Sequence, residues 1–211
     1  MARDKSLESL NPEFRAKVKN MMASLAGSPM NWQVFETWRP PATTYKKSSV
    51  SKSNPLTNPS KHGYGWAVDV VPNGTWKGAP KNGPAGTTPW DELRKAAHAA
   101  GLDNDIKWDR PHVEESRREM VKALQRKLGI KADGVWGSGT TKAAKSRAKQ
   151  LGIMWRTPVP TGATKVHPTT YRELYASKTL GGTNENATDT GMMVAAAVVV
   201  AGVVYYYYKK G

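Results

Sequence analysis

The stretch Ser60-Lys-His-Gly-Tyr-Gly-Trp-Ala-Val-Asp69, continued by Val70 and Val71, decides the fold prediction. Small and large apolar residues alternate over residues 64–71, which predicts a strand. The glycines at 63 and 65 permit a sharp turn from the preceding polar segment into that strand. This turn can bring the side chains of His62 and Asp69 to one point.

The elements on either side of this stretch predict an α+β domain over residues 1–115. Asn11 followed by Pro12 predicts the start of a helix that continues to Gly27, and residues 32–38 predict a strand. The polar segment 40–61 joins the two strands, and a loop of that length inside a domain is typically functional. Thr88 and Pro89 predict a second helix over residues 89–100, followed by a short strand. This order favours a small mixed sheet packed against helices.

The rest of the chain predicts three further segments. Helices expected at 116–128 and 140–151 make up a short helical module over residues 116–152. Residues 153–190 are rich in Thr, Pro, Gly and Asn, which predicts a flexible tether with one short helix near 170–177. Residues 191–208 carry no charge and end in four tyrosines before two lysines, which predicts a C-terminal transmembrane helix. A buried terminal strand or helix is the alternative.

Composition limits the kinds of site and partner. The 211 residues include no cysteine, which excludes a disulfide framework and every thiolate-bound metal. The net charge is +15, and residues 117–178 alone hold 14 basic and 3 acidic residues. Such a segment favours an anionic partner: nucleic acid, anionic lipid or an acidic cell-wall polymer. No apolar run follows the charged N-terminus, so we expect no cleavable signal peptide.

Two of the four histidines have carboxylates at suggestive spacing. His62 precedes Asp69 in the turn and strand, and His112 follows Asp109 in an extended segment. Two imidazoles and one carboxylate supply three metal ligands and leave a fourth position for water, while a second carboxylate can accept a proton. On spacing alone, a single histidine here is more typical of a hydrogen-bonded surface residue than of a metal ligand. His98 and His167 lack a carboxylate partner at metal spacing and are interpreted as structural.

Two motifs together suggest a family. Ser-x-His-x-x-Gly-x-Ala-x-Asp at 60–69 and Trp-Asp-x-Pro-His-x-Glu at 108–114 resemble the LAS-type zinc peptidases. This family comprises D-alanyl-D-alanine carboxypeptidases and L-alanyl-D-glutamate endopeptidases and is common among phage endolysins; the resemblance covers residues 11–115. It implies His62, Asp69 and His112 as zinc ligands and Asp109 as the general base.

The resemblance also extends to the segment Phe35-Glu-Thr-Trp-Arg-Pro40. It implies that Arg39 stabilises the oxyanion of the reaction or binds a substrate carboxylate, for which a forked permanent cation is suited. The alternative for Arg39 is a surface salt bridge. Glu114 either orients a metal ligand or caps the strand. We expect the tryptophans at 66, 76, 90 and 108 to lie in the core or in the wall of the cleft.

The basic segment carries a second resemblance. Leu124-Gln-Arg-Lys-Leu-Gly129, Asp133-Gly-Val-Trp-Gly137 and Thr140-Thr-Lys-Ala143 are similar to the helical peptidoglycan-binding domain over residues 120–144. The resemblance implies a glycine-rich turn that presents Trp136 to sugar or peptide. A helical hairpin with a solvated basic face is the alternative.

Together these features predict a zinc-dependent peptidoglycan hydrolase that cleaves the stem peptide, with the L-alanyl-D-glutamate bond favoured. The alternatives are a D,D-carboxypeptidase of the same family and a non-catalytic wall-binding virion protein. A nucleic-acid-binding function rests on charge alone, and we expect no specific nucleic-acid partner. The expected location is membrane-anchored, in a phage virion or at the bacterial inner membrane facing the wall.

Overall fold

A three-stranded sheet places the residues of the site, and its strands are β1 (Trp32–Glu36), β2 (Ala67–Pro72) and β3 (His112–Glu114). The computed structural model describes residues 3–39, 59–75, 88–156 and 166–177. All of them belong to one unit of the chain, Met1–Lys178. The strand order is β1-β2-β3, with β2 in the centre.

Five α-helices and two short 3-10 helices accompany the sheet in the described residues. The α-helices are α1 (Pro12–Leu25), α2 (Pro89–Ala99), α3 (Arg117–Lys127), α4 (Ser138–Gln150) and α5 (Pro168–Ala176). The 3-10 helices span Leu7–Ser9 and Lys61–Tyr64, and we call the second the histidine turn.

The predicted starts of the first two helices are confirmed. The side chain of Asn11 accepts a hydrogen bond from the backbone N–H of Glu13, and Pro12 occupies the first helical position of α1. At the start of α2, Thr88 and Asp91 form a capping box. Both caps satisfy backbone N–H groups that have no partner within the helix.

The described sheet differs from the predicted mixed sheet, because both strand pairs are antiparallel. The reason lies between α2 and β3, where the chain folds back on itself and Asp103 pairs with Glu114 in an antiparallel bridge. That reversal sets the direction in which β3 joins β2. An antiparallel partner then needs no crossover connection.

Strand β2 also begins later than predicted. Residues 61–64 form the histidine turn, and Gly65 at φ 78° ends it. All six residues of β2 are buried, so both faces of the strand are covered. Side chains on its two faces therefore pack against different layers of the protein.

One hydrophobic cluster joins the predicted peptidase domain to the helices that follow it. It includes Phe14 of α1 and Trp66 before β2 together with Leu124 of α3, Ala144 of α4 and Leu174 of α5. Helices α3 and α4, the two helices of the predicted module 116–152, thus share a core with the sheet.

Among the described residues, the predicted tether 153–190 differs from the structure at residues 166–177. Within it, α5 packs against α3, α4 and the histidine turn. Tyr171 and Leu174 have no exposed surface, because their spacing places both on the helix face that meets the core. Residues 166–177 are therefore a packed part of the domain rather than a linker.

Two other predictions concern residues outside the described ranges: the transmembrane segment 191–208 and most of the loop 40–61. Trp76 also lies outside them. Among the described residues, no helix has the length and apolar content needed to cross a membrane.

Candidate metal centre

The sheet aligns three side chains in one row across its strands. Asp69 on the central strand pairs in register with His112 of β3 on one side and with Glu36 of β1 on the other. Directly opposed residues of antiparallel strands project to the same face. The register of β1 shifts between Val34 and Glu36, and irregularities of this kind re-aim side chains next to active sites.

The predicted ligands meet at a single point. His62 Nε2, Asp69 Oδ1 and His112 Nδ1 form a triangle in which each pair of atoms is 3.2 Å apart. All three residues are buried, with 2%, 5% and 7% of their surfaces exposed. The histidine turn supplies His62, and neighbouring strands supply the other two ligands.

The outer nitrogen of His62 is held by the backbone. Its Nδ1 lies 2.9 Å from the carbonyl oxygen of Thr37, the residue that follows β1. Since a carbonyl only accepts, Nδ1 carries the proton and donates it, which leaves the Nε2 lone pair directed into the triangle.

The outer nitrogen of His112 is held by a carboxylate. Its Nε2 lies 3.0 Å from Glu114 Oε2, and Lys61 Nζ donates to Glu114 Oε1 at 2.7 Å. Glu114 thus holds the ring of His112, the contact that the first of its two predicted roles requires. Lys61 and the side-chain amide of Asn104, which donates to His112 O at 2.7 Å, complete the support.

The ionisation of these groups matches a cation site. Burial raises the pKa of Asp69, but its hydrogen bonds with His112 and His62 outweigh burial and hold that pKa well below its ordinary value. Burial lowers the pKa of His112, yet the bonds to Asp69 and Glu114 raise it to about 9. For Glu114, burial is outweighed by His112 and Lys61, which lower its pKa to about 2. The site therefore holds two carboxylates ionised and favours positive charge between them.

The donor set fits a metal ion. With both outer nitrogens committed to acceptors, the two inner imidazole nitrogens and one carboxylate oxygen converge, and these three atoms can share a point only through a cation or a proton. Tetrahedral zinc with bonds of about 2.0–2.1 Å separates its ligand atoms by about 3.3 Å, close to the sides of this triangle. The group His62, Asp69 and His112 can hold a metal ion.

Asp109 and Arg39 lie close enough to interact electrostatically with this centre. Burial raises the pKa of Asp109, which also senses the charges of His112, Asp69, His62 and Arg39. This increase moves the pKa of the carboxylate towards the pKa of an efficient general base at neutral pH.

Arg39 is paired as well as near the site. Its Nε and Nη2 donate to the two carboxylate oxygens of Glu36, the β1 residue in register with Asp69. Burial lowers the pKa of Arg39, but Glu36 and, to a lesser degree, Asp69 and Asp109 raise it overall. The guanidinium is thus oriented by Glu36 while it contributes positive charge to the centre.

The other two histidines lie outside the centre. His167 caps α5, since its Nδ1 accepts a hydrogen bond from Thr169 N–H. His98 has a carboxylate partner that its sequence spacing did not predict. Asp105 lies 3.3 Å from its Nε2 on the surface. Of the tryptophans predicted to lie in the core or the cleft wall, Trp66 is a core residue, whereas Trp108 is 53% exposed.

The predicted wall-binding turn is built around a buried glutamine. The amide nitrogen of Gln125 donates to Asp133 and Thr140, and its oxygen accepts from Gly134 N–H. Gly134 has φ 76°, and an added Cβ would lie 2.4 Å from Arg118 Cγ. Trp136 is half-buried and donates to Thr141, so the exposed apolar residue of the turn is Val135 at 64%.

Sequence reasoning missed three groups that support the centre: Thr37, Lys61 and Asn104. The carbonyl of Thr37 leaves no side-chain signature, and Asn104 acts on backbone oxygens. Lys61 directly precedes His62, so only its position in the motif could have signalled a role.

Comparison of the chain with protein-family models, curated proteins and solved structures gave no match.

Proposed function

We propose that the protein is a zinc-dependent peptidoglycan hydrolase that cleaves the stem peptide. One observation carries the proposal: His62, Asp69 and His112 converge with their ligand atoms 3.2 Å apart. Both outer imidazole nitrogens are already engaged by Thr37 and Glu114. Three ligands leave one tetrahedral position for water, which is the arrangement of catalytic rather than structural zinc sites.

When bound, zinc supplies Lewis acidity that polarises a scissile carbonyl and acidifies water. The carboxylate of Asp109 accepts a proton from the attacking water and returns it to the nitrogen of the leaving amine. The guanidinium of Arg39, held by Glu36, stabilises the negative charge that develops on the carbonyl oxygen. Asp109 supports catalysis over a purely structural metal site, because a structural site has no use for an additional base.

The substrate assignment rests on the two sequence motifs and on charge. The motifs at 60–69 and 108–114 resemble those of peptidases acting on wall peptides, and among their bonds we propose L-alanyl-D-glutamate. Helix α4 adds cationic surface suited to an anionic wall, since it contains four basic residues and no acidic one. We also propose that residues 191–208 attach the protein to a membrane, on the sequence pattern described above.

The test is incubation of the full chain with purified peptidoglycan, followed by identification of new amino termini. We expect new N-terminal D-glutamate that disappears with a chelator and returns with zinc. His62→Ala serves as the metal-free control, and Glu92→Gln, at a glutamate bound to Trp32 Nε1 and remote from the motifs, as the matched control. A D-alanine product would instead identify a D,D-carboxypeptidase, and intact peptides with retained wall binding would identify a non-catalytic protein.

A further inference from the structure

The segment 166–177, which contains α5, lies against the histidine turn, and we call it the C-terminal brace. Tyr64 of the turn donates its hydroxyl hydrogen to Val166 O at 2.9 Å. Pro168 covers the backbone beside His62, where a Cβ built on Gly63 would lie 3.4 Å from Pro168 Cβ. The brace thus contacts the element that supplies one of the metal ligands, from a position about 100 residues further along the chain.

Tyr171 links the brace to the core on two sides. Its hydroxyl oxygen accepts a hydrogen bond from Trp66 Nε1 at 3.0 Å and donates one to Met120 O at 2.8 Å. Burial raises the pKa of Tyr171 well above its ordinary value, so the hydroxyl keeps the proton that it donates. Its ring also meets the Tyr64 ring edge-on, with centroids 5.5 Å apart.

Trp66 occupies the short connection between two ligands, His62 and Asp69. Its backbone N–H donates to Lys61 O at 3.0 Å, and its carbonyl accepts from Glu115 N–H at 3.1 Å. A fixed Trp66 therefore fixes the path of the chain from the histidine turn into β2. Metal ligands must be held within about 0.5 Å of productive geometry, so this path bears directly on metal affinity.

We propose that Tyr171 is a positioning residue of the metal centre, which acts through Trp66 and Tyr64 to keep His62 and Asp69 converged. The proposal rests on the metal binding of the proposed function. It assigns to the brace a role beyond core packing, because a core residue alone would affect stability without changing the ligand geometry.

The test compares zinc affinity in full-length wild type and Tyr171→Phe, a change that removes one oxygen and keeps the ring. We expect the zinc Kd to rise by about 10- to 100-fold, the range typical of residues that support metal ligands. The visible absorption spectrum of the cobalt-loaded protein should also change, because it reports ligand geometry rather than stability.

Tyr175→Phe is the matched control on the same helix. The ring of Tyr175 stacks on Tyr171, but its hydroxyl donates to Glu13 of α1 at 2.9 Å, whereas the Tyr171 hydroxyl bonds Trp66. We expect its zinc Kd and cobalt spectrum to equal those of wild type. Tyr64→Phe removes the bond to Val166 and should weaken zinc binding in the same direction, which keeps the proposal testable if Tyr171→Phe does not fold.

A wild-type Kd and cobalt spectrum in Tyr171→Phe, with only a lower melting temperature, would overturn the positioning role. The same conclusion follows if Tyr64→Phe alone is folded and binds zinc like wild type. Wild type that binds zinc tightly but leaves peptidoglycan intact would refute the proposed hydrolase and leave the positioning role standing. Wild type that binds no zinc would refute both.

Discussion

Replacement of Glu114 by Gln tests how strongly the carboxylate behind His112 supports the metal. Glu114 Oε2 lies 3.0 Å from His112 Nε2, and the two side chains are 20% and 8% exposed, so water screens the contact little. Glutamine retains an oxygen that can accept from Nε2 but lacks the negative charge.

The magnitude follows from the change in acceptor. A hydrogen bond to a charged group contributes about 1.5–3 kcal/mol and a neutral one about 0.5–1.5 kcal/mol. The difference of about 1–1.5 kcal/mol corresponds to a roughly tenfold weaker zinc Kd. Competition against a chromophoric chelator at neutral pH measures this change.

Glu119→Gln is the matched control. Glu119 is also paired with a lysine, Lys122, at 2.7 Å, but it lies on α3 rather than beside a histidine. Its variant should bind zinc like wild type. If Glu114→Gln also stays within twofold of wild type, the Glu114 carboxylate does not hold the His112 ring in place for the metal.

Four further outcomes are expected. Asp109→Asn should retain zinc and lose about 10²-fold or more of peptidoglycan cleavage; near-normal turnover would assign the base to another group. Arg39→Lys should lower the rate of cleavage with little change in zinc content, because an ammonium lacks the forked geometry that Glu36 orients. The pKa of His112 is about 9 in the folded, metal-free protein against an ordinary 6.5. The stabilisation of the fold by protonated His112 is therefore complete below pH 6.5 and is lost as the pH rises to 9. Urea unfolding of the chelator-treated protein should show this decline, and a constant free energy over that range would contradict it. Deletion of residues 191–211 should abolish membrane association and preserve cleavage in the aqueous phase; equal partitioning of both chains would exclude an anchor.

Local signals predicted the helices well. Asn11-Pro12 and Thr88-Pro89 each mark a helix start that the structure confirms, because capping depends on residues adjacent in sequence. The convergence of His62, Asp69 and His112 was also predicted, but from motifs and their resemblance rather than from periodicity. Spacing alone favoured a surface position for each histidine.

Local sequence signals could not predict the direction of β3 or the packing of the C-terminal brace. The antiparallel entry of β3 depends on the reversal closed by Asp103 and Glu114, which are 11 residues apart. Asn, Asp and Pro residues between them indicate turns but not the strand with which β3 pairs. Residues 166–177 have the polar, Pro- and Thr-containing neighbourhood of a linker. Their burial depends on Trp66 and Met120, which are distant in sequence.

Neighbouring residues are enough to predict the first helix starts, the excess of positive charge after residue 117 and the residue types able to bind a metal without cysteine. Tertiary structure alone decided that Thr37 and Glu114 fix the outer nitrogens of the two histidines, and that Tyr171 lies behind the histidine turn. Helix capping and local charge are properties of residues that are neighbours in sequence. A hydrogen bond between distant segments exists only after the sheet register and helix packing bring its atoms within about 3 Å of each other.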